Sequence, residues 1–60
     1  MRTNLLTAKE TALYLRTTPG ALANLRLRGD GPPYVKMGRR VLYDQKDLEA
    51  WIDSHKVRTK

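Results

Sequence analysis

Lys36, Arg39 and Arg40 lie close together in GPPYVKMGRRVLYD, the stretch from Gly31 to Asp44. Clustered cations on one short element are what neutralising a phosphate backbone needs. A second group precedes them. Asn24, Arg26 and Arg28 occur at every second position of ANLRLR. An amide can make a bidentate contact to adenine in a major groove, and an arginine can enter a narrow minor groove, where negative potential is enhanced. Asn24 and Arg39 suit these two tasks. Arg26 and Arg28 can hold phosphates, or simply complement the negative end of a helix.

Bond-making chemistry has no counterpart in the chain. Without cysteine there is no disulfide and no cysteine zinc site. His55 is the lone histidine and cannot build a metal site without several carboxylates beside it. Thr3, Thr7, Thr11 and Ser54 have no base partner, since His55 directly follows Ser54 and faces elsewhere on a helix. Glu10, Asp30, Asp44, Asp47, Glu49 and Asp53 are accounted for by helix caps and solvated surface. The sequence predicts no catalysis, no metal, no cofactor and no small-molecule ligand.

Sixty residues are expected to make one domain, ordered over about 4–55, with marginal stability because so short a chain buries little of its surface. Twelve Lys+Arg against six Asp+Glu leave a net charge of +6, with a pI near 10.2. Such a balance points to nucleic acid, where each neutralised phosphate releases counterions. No apolar run approaches the roughly 20 residues of a membrane helix, and the N-terminus lacks the apolar core of a secretory signal. A cytoplasmic location is expected, in a bacterium or a phage-infected one.

Positioning these side chains takes four elements. Thr7 and Glu10 have capping-box spacing, and Ala8, Ala12 and Leu15 follow as an apolar stripe. This predicts a first helix over about 7–16, after an extended lead-in. Thr18 and Pro19 suit the cap and first position of a second helix, with Gly29 as its left-handed stop. Pro32 and Pro33 forbid helix beyond it. YVKM and RVLY then flank Gly38-Arg39, the pattern of a hairpin with a type II′ turn. Asp44 caps a third helix whose stripe is Leu48, Trp51 and Ile52; His55, Lys56 and Arg58 gather near its end and the tail should fray. Leu6, Ala12, Leu15, Leu22, Leu25, Val41, Tyr43, Leu48, Trp51 and Ile52 are the predicted core. Leu27 points away from Leu22 on an ideal helix and is expected to tuck under the hairpin. Leu13 and Leu42 are left as exposed apolar residues, candidates for a protein contact.

In this order and spacing, LT opening the first helix, LAN in the second, RGDGPPYVKMGRRV through the hairpin and DLEAW in the third carry a family resemblance. The chain resembles the small winged helix-turn-helix excisionases of phages and integrative elements and the AlpA-like regulators, which are similar to the DNA-binding head of MerR-type regulators. The likeness covers about 5–53. It implies an α+β fold in which the second helix enters the major groove and the hairpin, as a wing, reaches the adjacent minor groove. It places Thr18, Gly20, Ala23 and Asn24 at DNA-contacting positions, Lys36, Arg39 and Arg40 in the wing, and Tyr34, Val41, Tyr43 and Trp51 at packing positions. Relatives often carry an aromatic at Leu25, a polar residue at Leu42, and larger polar residues where this chain has Pro19, Gly20 and Ala21. Few side chains here are long enough to read bases.

The implied function is that of an excisionase, a non-enzymatic protein that bends double-stranded DNA, binds it in adjacent copies, and directs a phage-type integrase toward excision. The absence of a further domain after the third helix favours this over a transcription regulator of the same fold. A third reading, a protein-interaction module such as an antitoxin, would not require salt-dependent binding to plain duplex.

Overall fold

The computed structural model describes residues 4–57, so the readings at Thr3 and Arg58 and the end of the tail lie outside the described residues. The elements run β1 (Leu5–Thr7), α1 (Ala8–Leu15), α2 (Pro19–Arg28), β2 (Val35–Met37), β3 (Arg40–Asp44) and α3 (Gln45–Ser54).

Local chemistry sets the boundaries. Thr7 caps α1 through a complete capping box. Its hydroxyl accepts from the Glu10 amide at 3.1 Å, and the Glu10 carboxylate accepts from the Thr7 amide at 2.8 Å. Thr18 caps α2 by accepting from the Ala21 amide at 3.1 Å, with Pro19 at the first helical position. Both helices end alike. The Thr17 amide donates to the Ala12 carbonyl at 2.8 Å and the Asp30 amide to the Leu25 carbonyl at 3.0 Å, each past a left-handed residue. After α2 that residue is Gly29. After α1 it is Arg16, at φ 60°, the one described non-glycine residue with positive φ. This tight joint turns the chain from α1 into α2 within three residues, Arg16 to Thr18.

The lead-in is a strand. The sheet has the order β1-β3-β2, both pairs antiparallel, with Leu5 opposite Asp44 and Val35 opposite Leu42. Expecting a two-stranded wing alone missed β1, whose partner lies far along the chain. The consequence falls on Leu42. It sits between Thr7 on one side and Val35 on the other, and directly opposed side chains in adjacent strands are near neighbours. Leu42 is therefore buried, and its expected role as an exposed protein contact is corrected. Leu13 is 73% exposed.

Ala12, Leu22, Tyr43 and Leu48 form the buried centre, with Leu6, Ala8, Leu15, Leu25 and Val41 packed around it. Trp51 and Ile52, expected in the core, are only half-buried and stand outside that cluster. They share the stripe of Leu48, but that stripe runs off the sheet toward the helix end. There the Trp51 ring packs on His55, with centroids 4.3 Å apart. Gly31 lets the loop after α2 press against that helix: a Cβ on it would lie 2.9 Å from the Leu25 Cβ. The result is an α+β winged helix-turn-helix, with α1 and α2 as the helix pair and the β2–β3 hairpin as the wing.

Candidate nucleic-acid interface

Helix α2 buries Leu22, half-buries Leu25 and Arg26, and turns Gly20, Asn24 and Leu27 outward, with Ala23 half-buried beside them. These outward residues recur at helical spacing and form one stripe. It carries no charge, and its one polar side chain is the amide of Asn24. The Thr18 hydroxyl lies at the start of the helix, where one lone pair accepts the capping bond and the O–H still has a proton to donate.

Beside this stripe stands the wing. Gly38 takes φ 61° while Arg39 keeps negative φ, as a type II′ turn requires of its first and second central residues. The turn holds Arg39 at the tip, exposed. Register then sorts the cations. Lys36 pairs with Val41 and so shares its face of the sheet, whereas Arg40 pairs with Met37 one position along and points to the other face. Lys36 from this face and Arg39 from the turn line the groove between wing and α2, together with Ala23, Arg26, Leu27, Tyr34 and Val41. Arg40 is on the wing but outside that groove. Among the described residues no ion pair engages Lys36, Arg39 or Arg40.

The two helix arginines differ. Arg26 is half-buried. Its Nη1 donates to the Tyr43 hydroxyl at 2.7 Å, and its guanidinium lies 5.8 Å from the centre of the Tyr34 ring. The Tyr34 and Tyr43 rings are 6.3 Å apart and tilted. Arg26 therefore fastens α2 to the wing, and its hydrogen bond and ring contact fix the width of the groove. Arg28 is exposed and pairs with Asp30 at 3.3 Å, an ion pair worth little in solvent. The clip was not legible in the sequence: Arg26 and Tyr43 are 17 residues apart and nothing local links them. Leu27 was expected under the wing and is instead 86% exposed on the groove's helix wall, because α2 continues through Arg28 before it unwinds. Tyr34, expected to pack, is 45% exposed, and its ring lies near Tyr43 and the Arg26 guanidinium.

A helix pair with a tight joint, an outward face on the second helix and a cationic hairpin beside it define a DNA-binding helix-turn-helix protein. The chain belongs to the helix-turn-helix domain family, whose model matches residues 5–56. No curated protein matches the chain significantly. Double-stranded DNA is the ligand that this membership implies. Among the described residues no group of His, Cys, Asp or Glu side chains can hold a metal ion, and no helix is long and apolar enough to cross a membrane.

Proposed function

We propose that this protein is an excisionase: an architectural DNA-binding protein that bends a recombination site and steers a phage-type integrase toward excision. One observation carries the reading. The outward side of α2 offers only two hydrogen-bonding side chains within the helix, Asn24 and, at its end and paired with Asp30, Arg28, while the wing exposes Lys36, Arg39 and Arg40. Such a molecule holds the backbone in two adjacent grooves better than it reads a sequence. Smoothly bending a short site by 40–90° costs of order 1–6 kcal/mol, which phosphate and minor-groove contacts must offset. In this docking α2 lies in the major groove with Thr18, Gly20, Ala23 and Asn24 toward the DNA, Arg28 flanks the backbone, and Arg39 enters the minor groove. Leu13, with the neighbouring half-exposed Tyr14, is the surface for contact between adjacent copies.

The test is a recombination assay with the integrase of the same element, run in both directions, with bending measured by circular permutation of the bound fragment. Excision that depends on this protein, with a bent complex, supports the reading. A bound but straight complex and no effect on recombination direction would leave a regulator of the same fold.

A further inference from the structure

Leu27 is the most exposed of the described leucines. It is 86% exposed, it follows the half-buried Arg26, and it shares its groove with the cations Lys36 and Arg39. A leucine gains nothing by facing water there. A ligand that completes this groove must be anionic along its border and must offer an apolar group to the helix wall. Duplex DNA offers both at one place. Its phosphates meet the wing, and in the major groove the only apolar group on a base edge is the C5-methyl of thymine.

We infer that Leu27 is a specificity residue that contacts a thymine methyl, so that α2 reads an A·T-containing step by an apolar contact. The inference rests on the docking proposed above. Asn24 and Leu27 are separated by roughly 4.5 Å along the helix axis at 1.5 Å per residue. That is little more than one base-pair rise of about 3.4 Å. The thymine is therefore in the pair next to, or one beyond, the pair that Asn24 faces. Ala23, half-buried on the same wall, adds its methyl to that surface. A stripe nearly without hydrogen-bonding groups gains a sequence preference in this way, because a methyl group is sensed by shape and desolvation and needs no polar partner.

The experiment compares the wild-type chain with Leu27→Ala. The side chain is exposed, so the variant should melt with the wild type, and this is checked by thermal denaturation. Binding sites are selected by each protein from a duplex library with a randomised segment. Each thymine of the wild-type site is then replaced in turn by uracil, which removes only the methyl. One replacement should weaken wild-type binding about fourfold, the equivalent of one methylene-sized burial. The same replacement should leave Leu27→Ala unchanged, and the variant's selected sites should lose the thymine preference at that position. If no replacement weakens the wild type, or if both proteins respond equally, Leu27 does not read a methyl and the inference is overturned while DNA binding stands. If the wild type selects no duplex at all, the DNA docking falls, and this inference with it.

Discussion

Two of the concavities that helix α2 borders are similar in size, ≈ 560 Å³ on the wing side and ≈ 480 Å³ on the α3 side. The wing side is walled by Lys36, Arg39 and Arg26 and is bridged by a hydrogen bond. The α3 side is walled by Leu15, Leu22, Leu25, Trp51 and Ile52, with His55 and Lys56 at its edge. One helix of ten residues thus carries two separate duties on its faces. Apolar contact on one face holds the fold, and a polar clip on the other fixes the spacing of helix and wing. The lesson is that substitutions around α2 should divide into those that change stability and those that change binding, according to which concavity they line.

The largest effect on stability should come from Leu22→Ala. Leu22 is fully buried and belongs to the core as well as to the wall of the α3-side cleft. The expected loss is about 2–5 kcal/mol. A chain of this length has a margin of roughly 3–9 kcal/mol, at 0.05–0.15 kcal/mol per residue. Urea denaturation should show a protein largely unfolded or close to it. A midpoint unchanged from wild type would break the division at its first step.

Trp51→Ala should cost about 2 kcal/mol, short of the ~3–5 kcal/mol of a fully buried aromatic, because the ring is half-exposed and its close partner is His55. The folded fraction should bind DNA as the wild type does. A folded variant that has lost DNA affinity would put the α3-side cleft among the binding surfaces and erase the contrast.

Tyr43→Phe should be milder. The ring stays in the core, and only the hydroxyl that receives Arg26 is lost. A hydrogen bond to a charged donor is worth about 1.5–3 kcal/mol in a buried setting. Arg26 is only half-buried and water can take over part of the role, so about 1 kcal/mol is expected from thermal melts. Binding should also loosen, since the clip sets the groove. Loss of stability with wild-type affinity would mean that the wing keeps its place without Arg26.

What the sequence made legible was mostly local. Thr7 with Glu10, Thr18 with Pro19, Gly29, Gly38 and Asp44 each act within a few residues of themselves, and each marks the boundary its type predicts. The helix-turn-helix order and the wing follow from them. What stayed hidden depends on partners far along the chain. Leu5–Thr7 pairs with β3, which makes β3 the central strand and buries Leu42. Arg26 reads as a helix-end charge until Tyr43 is placed next to it. Trp51 has the right spacing for a core residue, but spacing names a face and not how far along that face the neighbours extend. Among the interface candidates, the sequence grouped Lys36, Arg39 and Arg40. The strand register separates Lys36, which borders the groove, from Arg40, which does not, and the turn brings Arg39 to the groove as well.

The smallest effect on stability, and the sharpest on binding, should come from Arg39→Ala. Arg39 lies in the exposed turn, carries no hydrogen bond or ion pair among the described residues, and follows the glycine that supplies the turn's positive φ. A surface change away from caps, core and clips stays within about 0.5 kcal/mol. The melt should therefore match the wild type. On duplex DNA the plot of log affinity against log salt should be shallower by about one, the share of one neutralised phosphate, on specific and scrambled sequences alike. The loss should be largest where the minor groove is narrow and A·T-rich, because that is where an inserted arginine gains most. Arg40→Ala provides the internal comparison. Its side chain is also exposed and charged, so its melt should be equally unaffected, but it points to the other face of the wing and should show no preference for narrow grooves. Titrations of the three proteins over a range of salt, on A·T-rich and G·C-rich duplexes, distinguish the cases. If Arg39→Ala and Arg40→Ala behave alike, the charge of the wing acts as a diffuse field, and the groove between wing and α2 has no special claim on the DNA. If only Arg39→Ala changes with groove width, the face selected by the Lys36–Val41 register is the one that holds the backbone.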